Sequence, residues 1–130
     1  EVDLFDPQMG GLPPGITQEE VLRGVAGRVR SALRAEDGLG LHGPSRLMAV
    51  IPGFSAGPAT LVAERIRLAV ASEPMTFLNG DQVPITISIG ICTSEMAPMA
   101  EVQGLLKRAA QALYRARTRG RNRVVVAGLK

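Results

Sequence analysis

The chain has 130 residues, a formal net charge of +3, 45% apolar and 21% charged residues, which is the composition of one globular domain with a real core. No apolar run approaches the ~18 residues that a membrane-spanning helix needs, so direct membrane insertion is not expected. A single cysteine, Cys92, excludes an internal disulfide and suits a reducing compartment, and one histidine, His42, leaves little for metal binding.

Residues 1–5 alternate as a short strand, and the Gly- and Pro-rich stretch 7–15 predicts a loop. Thr17 and Glu20 have capping-box spacing, with Ile16 placed to staple onto Val21. Val21, Leu22, Val25, Ala26, Val29, Ala32 and Leu33 then keep one apolar helical face to about Arg34. Residues 38–41 and 47–51 read as a hairpin around Gly43-Pro44-Ser45, with the cation Arg46 beside its tip and His42 flanking the turn.

A second helix is expected from about Pro58 to Ser72, with Val62, Ile66, Ala69 and Val70 inward. Asn79-Gly80 is a type I′ hairpin signal. The run from Ile85 to Cys92 alternates strictly, giving one face of isoleucines and one of small residues on which a helix could pack closely. Cys92 fits there as a small core residue. A third helix, about Met99 to Arg119, would bury Val102, Leu105, Leu106, Ala109 and Leu113, and Tyr114 is assigned to packing. Gly120 stops it, and residues 122–127 form a last strand. The order predicts an α/β sandwich: a mostly antiparallel central sheet of about five strands flanked by helices.

Charge is unevenly spread. Glu101 is the last acid, and Lys107, Arg108, Arg115, Arg117, Arg119, Arg121 and Arg123 follow it. Arginine suits forked contact with phosphate, although a basic helix face is also what solvent alone would select. With 3% aromatic residues and no nucleic-acid-reading motif, nucleic acid is not an expected partner.

The stretch "LLKRAAQALYRARTRGRNRV" (105–124) resembles the closing motif of GGDEF domains, the diguanylate cyclase family. "VDLF", "VLRGVAGRVRSALRAED", "AERIRLAV" and "VPITISIGI" resemble further segments of that family, in its order. The family's opening helix is missing, so the resemblance implies a fragment of a larger regulatory protein, with residues 1–130 as one GGDEF domain. The fold it implies is that of nucleotide-cyclase palms.

The resemblance sets Gly43-Pro44-Ser45-Arg46-Leu47 where the family carries its Gly-Gly-Asp/Glu-Glu-Phe signature. The metal-binding acids of the family then fall on Glu1 and Ser45, its next glutamate on Arg46, its guanine-reading asparagine on Met9 and, with one loop residue inserted, that residue's acidic partner on Glu19. A serine hydroxyl does not replace a carboxylate on Mg²⁺, Arg46 repels a cation, and Pro44 lacks a backbone N–H. Catalytic residues are therefore none, no metal site is expected, and no resident cofactor is called for.

The resemblance also implies a site for cyclic di-GMP, marked R-x-x-D six positions before the signature. Arg34 and Asp37 stand at that spacing from Gly43, and Arg65 matches the site's further arginine. Arginines fork onto phosphate and guanine, while a carboxylate accepts from guanine N–H groups. The competing reading is a helix-end arginine paired with Asp37 and a solvated Arg65. Arg117 and Arg121 match triphosphate-contacting positions and imply a residual phosphate site.

The expectation is a catalytically inactive domain that receives cyclic di-GMP in a bacterial cytoplasm, free or as the cytoplasmic part of a membrane protein. A second copy or a neighbouring domain would be its protein partner. Two alternatives stand beside it: a non-binding pseudoenzyme that dimerises or relays a signal, and a GTP-binding domain that activates a neighbour.

Overall fold

Thr17 begins the first helix by reciprocal capping. Its Oγ1 accepts from the Glu20 backbone N–H at 3.2 Å, and the Glu20 carboxylate accepts from the Thr17 N–H at 2.9 Å. In this computed structural model, which describes residues 2–8, 15–42, 46–51, 56–93 and 102–127, helix α1 spans Gln18–Ala32. Its apolar face buries Val21, Leu22, Val25 and Val29, and Ile16 is buried in the same cluster. The helix stops short of the expected Arg34 because Leu33 is extended (φ −99°, ψ 162°). The Arg34 N–H is claimed by the Asp37 carboxylate at 2.8 Å, a local side-chain acceptor that competes with the helical one.

Five strands form one sheet in the order β2-β3-β1-β6-β7: β1 (Val2–Gln8), β2 (Gly38–Leu41), β3 (Leu47–Val50), β6 (Thr86–Cys92) and β7 (Val124–Val126). All neighbours are antiparallel except β6 and β7. β1 runs further than expected, carrying Pro7 and Gln8 opposite Ile87 and Thr86. Pro7 is tolerated because β3 pairs with β1 only as far as Phe5, so beyond it β1 has one neighbour and an edge that requires no N–H. Of the expected loop, residues 9–14 lie outside the described residues, as do Glu1 and the hairpin tip 43–45.

The alternation in β6 separates two cores. Ile87, Ile89 and Ile91, with Ile85 just before the strand, are all buried on the face covered by α1 and α2 (Ala56–Ala71). Each contributes roughly 1.5–3 kcal/mol by leaving water. Cys92 lies on the other face, where α3 (Val102–Thr118) packs with Ala109, Ala112 and Leu113. Small side chains decide the helix contacts. Ala59, Ala63, Ile66 and Val70 are buried on α2, whereas Val62 and Ala69, expected inward, are half-buried. On α3 the buried residues are Ala109, Ala112, Leu113 and Ala116; Leu105 and Leu106 are half-buried, and Met99 and the Val102 side chain lie outside the described residues. Tyr114 is 65% exposed, contrary to its assignment to packing, because Leu113 and the alanines occupy the inward face.

β4 (Met75–Thr76) and β5 (Gln82–Val83) make a separate hairpin. Its turn differs from the expected type I′. Gly80 has φ +88°, whereas Asn79 is not left-handed, and the Phe77 N–H donates to Asp81 O at 2.9 Å across three loop residues. Asn79 instead uses its side-chain oxygen to accept from the Asp81 N–H at 2.9 Å.

Helix α3 ends in a Schellman arrangement. Gly120 is left-handed at φ +119°, and the Arg121 N–H donates back to Ala116 O at 2.9 Å. Arg121 (φ 64°) and Asn122 (φ 47°) continue in the left-handed region before β7 starts.

Candidate ligand site at the end of the first helix

The turn after α1 gathers the residues singled out from the sequence. Arg34 O accepts from the Asp37 N–H at 3.1 Å, while Asp37 Oδ2 accepts from the Arg34 N–H at 2.8 Å, so the two residues close the turn on each other. The side chains also meet. Arg34 Nη2 donates to Asp37 Oδ1 at 3.1 Å, and Nε approaches Oδ2 at 3.4 Å. Burial pushes the Asp37 carboxyl up, but the hydrogen bonds from Arg34 and the charges of Arg34 and Arg30 outweigh it and hold it below the usual value.

Arg65 reaches this turn from α2, donating to Ala32 O at 3.2 Å. α2 runs antiparallel to α1, pinned by Arg28, whose Nη1 donates to Val70 O and Glu73 O, both at 2.6 Å. Each helix thus supplies an arginine to the carbonyl end of the other, where a cation is favourable. Arg34 and Asp37 are thus in direct contact, and Arg65 comes to the same helix end through the Ala32 carbonyl.

Their accessibility differs. The Arg34 side chain is 43% exposed and Arg65 is exposed, whereas the Asp37 side chain is 2% exposed and turned onto Arg34. Two exposed guanidinium groups can fork onto phosphate oxygens. Asp37 meets a guanine edge only if Arg34 shifts its grip.

Two further residues touch this turn and were not singled out from the sequence. Arg30 donates through Nη1 to Asp37 O at 2.7 Å and through Nη2 to Arg34 O, bracing the turn from below. Its position one helical turn before Arg34 was the available signal. Glu36 places Oε2 3.5 Å from Arg34 Nη1.

Arg117 and Arg121 lie elsewhere, at the carboxyl end of α3. Arg117 is half-buried and Arg121 is exposed in the left-handed turn. That turn is held from α2 by Arg67, whose Nη1 donates to Asn122 Oδ1 at 2.8 Å while Glu64 orients the guanidinium at 2.8 Å. Glu19 is exposed on the first turn of α1 and pairs with Arg23 at 2.9 Å. Arg46 is half-exposed, its carbonyl accepting from the His42 N–H at 3.0 Å. Met9 lies outside the described residues.

The family described as "Diguanylate cyclase, GGDEF domain" matches residues 17–123. Among curated proteins, the chain is 38% identical over 109 residues to the response regulator PleD of Caulobacter vibrioides, covering 82% of the chain and 24% of PleD. It is 36% identical over 109 residues to the diguanylate cyclase DgcP of Pseudomonas aeruginosa, covering 84% of the chain and 16% of DgcP. The chain thus spans at most about a quarter of the length of these relatives. In fold it is similar to the GGDEF domain of DgcB from Caulobacter crescentus, solved in complex with c-di-GMP, at a TM-score of 0.80 and 23% identity over 97% of this chain and 76% of that one.

Proposed function

The chain belongs to the GGDEF domain family, and from that premise we propose that it is an inactive member that serves as a receptor for cyclic di-GMP. The family places it in cyclic di-GMP signalling. Loss of catalysis follows from the donor set. Where the family holds a divalent metal with carboxylates, this chain offers Glu1, the Ser45 hydroxyl and, next to it, the cation Arg46. These residues do not fit a divalent metal, and no step is drawn through one. Met9, at the position that reads guanine, has no hydrogen-bonding edge.

The observation that carries the receptor reading is the meeting of Arg34, Asp37 and Arg65 at the end of α1. Two exposed cations from different helices stand at one helix end beside a carboxylate now turned onto Arg34, and this supports a ligand with two phosphodiesters and two guanines. Among the described residues no helix is long and apolar enough to cross a membrane, and a cytoplasmic setting is part of the proposal. A second copy or a neighbouring domain reads the bound state.

Calorimetric titration with cyclic di-GMP, and separately with GTP, tests it. Saturable binding of cyclic di-GMP at or below tens of micromolar is expected. No heat at that concentration returns the chain to a role in protein interaction alone.

A further inference from the structure

The Arg34 guanidinium is engaged by acids on two sides. Nη2 and Nε face Asp37, which is buried and also accepts from the Arg34 backbone N–H, so this contact belongs to the turn itself. Nη1 faces Glu36, and here the situation differs. The Glu36 side chain is 62% exposed, and its only ion pair among the described residues is the one to Arg34, at 3.5 Å. Its carboxylate stands beside Nη1, apart from the Nη2 and Nε atoms that face Asp37, and so puts a negative charge next to the cation that a phosphate would seek.

We propose that Glu36 is a built-in competitor that sets the affinity of this site for a phosphodiester ligand; the inference rests on the receptor reading above. A phosphate oxygen drawn to Nη1 either displaces the Glu36 carboxylate or binds beside it on the second Nη1 hydrogen, and in both cases the two stand close together as like charges. Removing that charge strengthens binding. The gain is modest because both groups are wet, about three- to tenfold at low salt, and it shrinks as ions screen the repulsion. Glu36 is thus an affinity-setting residue rather than a ligand-holding one.

The test is calorimetric titration of cyclic di-GMP into the wild type, Glu36→Gln and Glu73→Gln, at about 0.05 M and about 0.5 M salt. Glu36→Gln keeps the side-chain size and removes the charge. Glu73→Gln removes the same charge from an exposed residue at the far end of α2. The expected result is tighter binding by Glu36→Gln alone, with the advantage falling toward unity at high salt. Binding by Glu36→Gln where the wild type is too weak to measure also supports the proposal. Equal affinities of wild type and Glu36→Gln overturn it and leave the receptor reading intact. An equal gain in Glu73→Gln overturns it as a mere net-charge effect, and a gain indifferent to salt overturns the electrostatic account. If neither wild type nor Glu36→Gln binds, the receptor reading fails and this inference with it.

Discussion

Gly90 of β6 lies under Leu113 of α3 so closely that a Cβ on Gly90 would sit 2.3 Å from the Leu113 backbone nitrogen and 2.3 Å from the Ala109 carbonyl oxygen. Both obstacles are helix backbone, which cannot swing aside as a flexible side chain would. Gly90→Ala is therefore expected to destabilise the domain by about 1–3 kcal/mol or more, although alanine in place of glycine ordinarily favours a strand. Urea unfolding measures it. An unchanged midpoint would show that α3 is less tightly seated than the structure has it.

Arg67 and Asn122 join α2 to the turn after α3 through a 2.8 Å hydrogen bond. Asn122 holds a left-handed conformation at φ 47°, which is unfavourable for most residues and persists where neighbours impose it. Arg67→Ala and Asn122→Ala should each cost about 1–2 kcal/mol, and the double variant less than their sum, with a coupling of about 1 kcal/mol. A double-mutant cycle by chemical denaturation gives that coupling. Strict additivity would mean that the two side chains do not support one another.

Asp37 makes stability depend on pH in the acid range. Its folded carboxyl titrates below the ordinary value of 3.8, so the unfolded chain takes up the proton first as pH falls. The contribution is therefore present at neutral pH, declines below about pH 4, and is lost once the folded carboxyl is protonated. Asp37→Asn should be less stable than the wild type at pH 7, with the gap closing as pH drops through 4. Denaturation midpoints of both proteins across pH 7 to 3 measure this, and a gap that widened toward acid would reverse the assigned sign.

Ligand affinity should follow the residues at the end of α1. Arg34→Ala removes two or three charge-assisted hydrogen bonds, each worth roughly 1.5–3 kcal/mol, and should weaken cyclic di-GMP binding by about two orders of magnitude or more. Arg117→Ala should leave it nearly unchanged. Loss confined to Arg117→Ala in the same titration series would move the site to the carboxyl end of α3.

Catalysis should be absent. The full-length protein incubated with GTP and Mg²⁺ or Mn²⁺ is expected to yield no cyclic di-GMP above blank, by chromatography of the nucleotide products. Rewriting residues 43–47 as Gly-Gly-Asp-Glu-Phe should not rescue it, because Met9 still lacks a guanine-reading edge and the substrate stays unpositioned. Turnover by that variant would show that Met9 and the Gly- and Pro-rich stretch around it matter less than their composition suggests.

Features that rest on short-range chemistry are legible in the sequence alone. The capping box of Thr17 and Glu20 closes within four residues, and the isoleucines of β6 alternate with the two-residue period of a strand, so both depend on little beyond their own segments. The small face of that strand likewise announces a helix at close range, which Gly90 and Leu113 bear out. Pairing choices are not legible, because a carboxylate or guanidinium has several sequence neighbours of the right sign and only packing selects among them. The pairing of Asp37 with Arg34 is one of two readings the sequence offers, whereas Glu36 beside Nη1 and Arg30 bracing the turn are not among them; all fall within one octapeptide that specifies no order among its charges. Folding α2 antiparallel to α1 brings Arg65 to Ala32 O, 33 residues away in sequence, and the same helix sends Arg67 to Asn122. Tyr114 stays exposed because α3 meets the sheet through alanines, a contact distance set jointly by helix and strand. Local hydrogen bonds and periodicities are thus carried by the sequence itself, whereas the partners of long, charged side chains are settled only when the helices lie down on the sheet.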